Sequence, residues 1–246
     1  MLGGYCSFVA PAGDVVLKVG FPHEESEHEA AVLRAWDGQG AVRLVAEDPE
    51  RHALLLERCD PGTPLLEVDD DDACDVVAGL LPRLWSRPPP HGLRKLADVA
   101  ARWVQELPEL WEQRGRPFER PLLVGATNAL EELGPSQGDL VIGNEDLHGA
   151  NVLRATREPW LVIDPKPIAA EREFGPVAMI RDVKELVAGP VPAARVHRRL
   201  DRLSSALGLD RARVRGWTAA HTLAWGFKGD GFDAAHADIA RLLLDV

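Results

Sequence analysis

Between positions 144 and 151 the chain reads Asn-Glu-Asp-Leu-His-Gly-Ala-Asn, and soon afterwards Leu161-Val162-Ile163 runs into Asp164. Asp146 brings a carboxylate that can accept a hydroxyl proton. Asn151 and Asp164 bring an amide oxygen and a second carboxylate, donors suited to a hard cation that keeps several of its waters. Such a set can hold a hydroxyl nucleophile beside a magnesium-bound triphosphate. Phosphoryl transfer asks little more of a protein than positioning and charge neutralisation. A turn rich in Asp, Asn and Gly is ordinarily only a turn, because those residues tolerate unusual backbone angles. The setting argues for more: Leu140-Val141-Ile142 precedes it, a tight hairpin follows, and Asp164 ends a strand. Asn151 and Asp164 can then approach one ion from adjacent ends of the same hairpin.

Two further groups fit this chemistry. Lys18 lies in an apolar strand and is one of five lysines in an Arg-rich chain. It is either an outward-pointing residue of a half-buried strand or a phosphate-holding cation. Glu29, in the following helix, is its candidate partner, with Glu24, Glu25 and Glu27 as competitors; a strand lysine paired with a helix glutamate is the protein-kinase arrangement for gripping phosphates. His148 can act as a base, with an ordinary pKa near 6.5, or can brace the loop through backbone hydrogen bonds. The remaining histidines lack metal-ligand spacing.

The elements that must position these groups fall into two stretches. Up to about residue 59 the pattern is β-rich: a strand over 14–19, a helix over 24–36, and strands over 42–45 and 52–57. Asp60-Pro61-Gly62 is a strong turn signal, so the lobes are expected to divide there, as 1–59 and 60–246. Beyond it helices are expected over 70–85, along the apolar face of Leu93, Leu96, Ala100, Trp103 and Leu107, and over 121–133. A hairpin of strands 151–154 and 160–163 interrupts them, and four helices follow near 176–188, 193–207, 210–227 and 233–245. The run Asp69 to Asp72 reads as a solvated helix start, where negative charge suits the helix dipole, or else as a substrate-facing cluster.

Composition narrows the partners. A net charge of −11 argues against nucleic acid, whose phosphates need a basic face. It is compatible with a cationic small molecule drawn to an acidic cleft. No apolar run approaches the roughly 18 residues of a membrane span, and the first residues carry no secretory signal pattern. Three scattered cysteines without ligand spacing suit a reduced, cytoplasmic protein. A monomer or weak homodimer is expected.

The motif and its surroundings resemble the aminoglycoside phosphotransferase family, and most nearly its streptomycin 6-kinase and hydroxyurea phosphotransferase branch. The likeness takes in the lysine strand, Asp37-Gly38-Gln39-Gly40-Ala41-Val42-Arg43-Leu44, Leu54-Leu55-Leu56-Glu57-Arg58, Glu158-Pro159-Trp160-Leu161, Asp164-Pro165-Lys166-Pro167 and Glu171-Arg172-Glu173-Phe174. It implies an α+β, bilobal protein-kinase-like fold, with a small β-rich N-lobe, truncated here, and a larger helical C-lobe. ATP would lie between the lobes. Lys18 would hold phosphates with Glu29 paired to it, Glu57, Arg58 and Cys59 would form the adenine hinge through backbone groups, and Gly3 and Gly4 would be a remnant of the phosphate-covering loop. Asp146 would be the catalytic base, and Asn151 with Asp164 would bind Mg2+.

Three departures stand out. Asn144 and Glu145 replace the usual His-Gly before the catalytic Asp, changing how the loop is braced. Gly175 stands where an Asp is usual, losing a hydrogen-bond acceptor. The strand expected before Gly3 is missing, so the start lies upstream or the sheet is one strand short. The implied activity is ATP- and Mg-dependent phosphorylation of a hydroxyl on a small polar, cationic antibiotic such as streptomycin, or on a hydroxyurea-like compound. A weakened homologue that only binds, or a small-metabolite kinase, are the alternatives. Substrate contacts are expected from the C-terminal helices. Trp217, His221 and Trp225 are candidates that read first as core packing, and Asp230 and Asp233, which could meet an ammonium group, read first as a solvated turn and helix cap.

Overall fold

The computed structural model describes residues 7–21, 24, 27–182 and 193–244. By compactness the chain forms two units, one of residues 1–93 with 141–168 and one of residues 94–140 with 169–246.

Unit 1 is built on a four-stranded antiparallel sheet in the order β1-β2-β4-β3. Its strands are β1 (Ser7–Ala12), β2 (Val15–Gly20), β3 (Leu44–Asp48) and β4 (Ala53–Glu57). Between β2 and β3 lies helix α1 (Glu29–Trp36), and helix α2 (Asp70–Leu84) follows the sheet. β1 is an element that sequence patterning did not reveal. Its Pro11 and the Gly13-Asp14 turn read as a loop, but a proline is tolerated on an edge strand, whose outer amides need no partner. α1 begins five residues later than expected, with Glu24 and Glu27 in turns; only from Glu29 onward do apolar residues recur at helical spacing. Its buried face is Val32, Leu33 and Trp36, and the Trp36 indole donates to the Leu84 carbonyl at 2.9 Å, tying α1 to the end of α2. The acidic run starts α2 as expected, with the Asp69 carboxylate capping the Asp71 amide.

The segment 141–168 joins this unit through backbone hydrogen bonds. β6 (Val152–Arg154) and β7 (Trp160–Val162) form the expected hairpin. Val162 exchanges bonds with Gly40 and Val42, and Arg154 with Gly62 and Thr63. Strand β5 (Val141–Asn144) pairs with β8 (Pro167–Ala170), whose first residues close the unit. The 37–42 and 62–64 loops therefore hold the hairpin that carries Asn151 and Asp164 in fixed register with the sheet that carries Lys18.

Unit 2 is mainly helical: α3 (Leu96–Gln113), α4 (Arg120–Leu133), α5 (Val177–Arg181), α6 (Ala193–Leu207), α7 (Arg211–Gly226) and α8 (Ala234–Leu244). The helix expected over 176–188 is short, and its second half lies outside the described residues. α7 is central, packing against α4, α5, α6 and α8. It is buried along most of its length, from Val214 to Gly226. A two-residue hairpin, β9 (Phe227–Lys228) and β10 (Gly231–Phe232), joins α7 to α8, and its two phenylalanines cluster with Phe118. Among the described residues no helix is long and apolar enough to cross a membrane.

Candidate active site

The candidates for the nucleotide and metal sides that are described all belong to unit 1. Lys18 is the fourth residue of β2, opposite Leu54 of β4, and is 6% exposed. It points inward. Its Nζ lies 2.5 Å from Glu29 Oε2 and 2.5 Å from Asp164 Oδ1. Glu29, at the start of α1, is therefore the partner chosen among the acidic residues ahead of that helix. Burial lifts the Glu29 carboxyl above its ordinary range, against the opposing pull of Lys18. Its Oε1 has no hydrogen-bond partner among the described residues.

Asp164 ends β7's extension in the left-handed region, at φ 48°, a conformation that Asp adopts more readily than most residues. The Ile163 amide donates to the Asn151 carbonyl at 2.9 Å, so the positions of Asn151 and Asp164 are mutually fixed. Burial pushes the Asp164 carboxyl up, but the charges of Lys18 and Lys166 outweigh it and hold the group below its ordinary range. Asp164 stays a carboxylate at neutral pH.

Asp146 follows β5 in a loop braced from three directions. Asn144 Oδ1 accepts from the Asp146 amide at 3.1 Å, and Asn151 Nδ2 donates to the Asp146 carbonyl at 3.0 Å and to its Oδ2 at 3.2 Å. His148 Nδ1 accepts from the Ala150 amide at 3.3 Å. Its Nε2 lies 3.5 Å from Asp146 Oδ1 and 3.3 Å from Asn151 Nδ2. His148 thus contacts the loop backbone and both Asp146 and Asn151. Because Asn151 turns its nitrogen to Asp146, its oxygen is the atom available to a cation.

One residue that sequence reasoning gave no role, Lys166, belongs to the site. Lys166 Nζ lies 3.6 Å from Asp146 Oδ2 and 3.9 Å from Asp164 Oδ2. Its backbone is clamped, the amide donating to Asn144 Oδ1 at 2.9 Å and the carbonyl accepting from Glu145 at 2.9 Å. Asn144 thereby grips both Asp146 and Lys166, which gives the replaced His-Gly pair a bracing role of its own. The available signal was the scarcity of lysine combined with its place two residues after Asp164.

A cavity of about 980 Å3 is lined by Lys18, Glu29, Asp146, Asn151, Asp164 and Lys166. Ala31 and Leu54 add an apolar wall. Among the described residues no three His, Cys, Asp or Glu side chains cluster to hold a metal by themselves. A divalent ion on Asn151 and Asp164 would have to complete its shell with phosphate oxygens and water. That donor set fits magnesium, which is usually held by one or two carboxylates and substrate phosphates.

At the expected hinge, the Glu57 and Arg58 amides donate to Arg43 and Asp14 within the sheet. The Glu57 carboxylate accepts from Arg157 at 2.7 and 2.8 Å and from the Arg43 amide at 3.0 Å. Although burial favours the neutral acid, these donors hold it below its ordinary range. Arg157 also donates to the Gly38 and Ala41 carbonyls, knotting the hinge strand to the loop that holds the hairpin. Burial pushes the Cys59 thiol up to about 11. Gly3 and Gly4 lie outside the described residues.

A family model described as aminoglycoside/hydroxyurea antibiotic resistance kinase matches residues 8–229. The chain belongs to that family. Over 210 residues it is 43% identical to the streptomycin 6-kinase of Streptomyces glaucescens, spanning 85% of this chain and 68% of that protein. Over 212 residues it is 42% identical to the hydroxyurea phosphotransferase of Kitasatospora aureofaciens, spanning 85% and 60%. A choline/ethanolamine kinase family protein from Mesorhizobium loti superposes with a TM-score of 0.70 at 15% identity, covering 100% of this chain and 87% of that one. Spectinomycin phosphotransferase, solved with ADP and spectinomycin, gives 0.59 at 12%, covering 100% and 92%. At such identities the structures speak for fold alone, and the fold is protein-kinase-like, with a small antiparallel-sheet lobe and a mostly helical lobe. This resistance-kinase chain is a phosphotransferase.

The substrate-side candidates of the resistance kinase lie in unit 2. Trp217 and His221 are fully buried, and the Trp217 indole donates to Glu171 at 2.5 Å. Trp225 is half-buried, stacked on His221 with centroids 4.8 Å apart and with the Arg181 guanidinium 4.5 Å from its ring centre. The Asp230 side chain is fully exposed, 3.4 Å from Arg114. Asp233 caps α8 through the Ala235 amide at 3.2 Å.

Proposed function

We propose that this resistance kinase transfers the γ-phosphoryl group of ATP to a hydroxyl of a small polar, cationic antibiotic of the streptomycin type, or to a hydroxyurea-like acceptor, in the cytoplasm and with magnesium. The observation that carries the reading is the convergence of Lys18, Asp146, Asn151 and Asp164 on one cavity. Asp146 orients the acceptor hydroxyl and takes its proton as the oxygen attacks phosphorus. Lys18, fixed by Glu29, faces the phosphates. Asn151 and Asp164 would hold the magnesium ion, which when bound neutralises phosphate charge. The apolar wall of Ala31 and Leu54 suits a nucleotide base; the hinge stretch Glu57 to Cys59, which would hold adenine through backbone groups, is not among the residues lining this cavity, and its Glu57 and Arg58 amides are already engaged. These fixed charges act in a partly desolvated cavity, where they count for more than in water.

The reading is supported by streptomycin 6-kinase relatives in two Streptomyces species, each 43% identical. It is tested by magnesium-dependent ADP release against streptomycin, other aminoglycosides, hydroxyurea and simple amino alcohols. An antibiotic is expected to accelerate release well above the acceptor-free rate. Acceleration only by amino alcohols would move the substrate to a metabolite, and ATP binding without any acceleration would leave a binding protein.

A further inference from the structure

Lys166 is a cation in the cavity that the reaction as described does not use. Its ammonium lies between the two carboxylates that the reaction keeps apart, 3.6 Å from Asp146 Oδ2 and 3.9 Å from Asp164 Oδ2. Asp146 must meet the acceptor hydroxyl, and Asp164 must meet the ion and the phosphates. In an in-line displacement the transferring phosphorus passes between those two neighbourhoods. Lys166 stands in that gap. Its position is built rather than incidental, because Asn144 and Glu145 clamp its amide and carbonyl at 2.9 Å each. The Lys166 side chain is 15% exposed, so its charge is little screened by water.

We propose that Lys166 is a catalytic residue that contacts the transferred phosphoryl group, complementing Lys18 on the rest of the triphosphate. The proposal rests on the kinase reading above. In the step, the acceptor oxygen forms its bond to the γ-phosphorus and its proton passes to the Asp146 carboxylate. The bond from that phosphorus to the bridging oxygen breaks, its electron pair leaving with ADP. The three equatorial oxygens carry the charge of the loose transition state. A Lys166 ammonium on those oxygens stabilises that charge and simultaneously leaves the Asp146 carboxylate to the hydroxyl. A lysine that served only to hold Asp146 and Asp164 together would act on the empty and ADP-bound protein as strongly as on the ATP-bound one.

That difference is measurable without turnover. Magnesium-dependent binding of ADP and of the non-hydrolysable β,γ-imido analogue of ATP is titrated on wild type, Lys166→Met and Lys166→Arg, alongside melting temperatures. Lys166→Met is expected to bind ADP within about threefold of wild type while its analogue affinity falls about tenfold, the worth of one charge-assisted contact. Its acceptor-stimulated kcat should fall on the order of 100-fold or more, the scale of one transition-state donor. Lys166→Arg should recover part of both losses. Should Lys166→Met melt early, Lys166→Gln carries the same comparison with a polar stem. Equal losses for ADP and analogue, or no loss for either, would overturn the proposal. Wild-type binding of the analogue and acceptor-stimulated turnover report separately on the kinase reading itself.

Discussion

A pair of carboxylates, Asp146 and Asp164, lines one cavity, and on the proposed reading their neighbours divide the duties between them. Lys18 and Lys166 keep Asp164 charged against its burial, as a metal ligand requires. Asn151 supplies its nitrogen to Asp146, and on the proposed reading its oxygen would serve the ion. Asp164→Ala is therefore expected to abolish the magnesium-dependent part of ADP's thermal stabilisation while sparing the fold, because the residue is at the cavity rather than in the core. Differential scanning fluorimetry with and without magnesium checks this, and an undiminished magnesium effect would remove Asp164 as a ligand. At this scale most of the site was readable from residue type and spacing. Lys166 was not, because nothing in a linear spacing tells that residue 166 returns beside residue 146; the clamp by Asn144 and Glu145 brings them together. Asn144 was expected to affect the bracing of the loop, but its reach to the distant Lys166 amide was hidden for the same reason.

Among the elements, those with a strong apolar period were legible and those defined by pairing were not. α2, α4, α6, α7 and α8 begin and end within a few residues of expectation. β1 was missed because a short strand holding a proline is recognised only by its partner, and β5 and β8 because they pair with each other across a long stretch of chain rather than through a tight turn. β3 runs over Leu44–Asp48 rather than 42–45, with a bulge between Leu44 and Ala46. Unit 2 also offers a test of its tertiary electrostatics. α8 is tied to the start of α4 by Arg241, which donates to Glu119 at 2.5 and 2.7 Å. That hydrogen bonding holds the Glu119 carboxyl at about 2, against an ordinary 4.5. The pKa is depressed on folding, so the stabilisation is complete above about 4.5 and is lost as pH falls toward 2. Both side chains are more than a third exposed, which limits the pair to under about 1 kcal/mol. Glu119→Gln should lower the melting temperature by a degree or two at pH 7, with the deficit shrinking from pH 5 to pH 3. A deficit that does not depend on pH would show that packing, not charge, is what the substitution disturbs.

For the molecule as a whole, the fold class and family were legible because the motif, the lysine strand and the hairpin occur in one order along the chain. The acceptor was not legible. The residues once singled out for it, Trp217 and His221, are enclosed in unit 2, and their spacing on α7 reflects packing against neighbouring helices. The way unit 1 takes in the 141–168 segment could not be anticipated either, since it depends on backbone bonds from Gly40, Val42, Gly62 and Thr63 to the hairpin. Those bonds help put Lys18, Asp146, Asn151 and Asp164 on one compact unit. The central claim is that Asp146 takes the proton of the acceptor while the other groups hold the nucleotide. Its most direct test is single-turnover transfer of labelled phosphate from ATP to streptomycin by wild type and Asp146→Ala, with ADP affinity measured on both. The expected result is loss of transfer by about a thousandfold or more in the variant, with ADP affinity within a few-fold of wild type. Transfer surviving near the wild-type rate, or ADP affinity collapsing with it, would contradict the assignment.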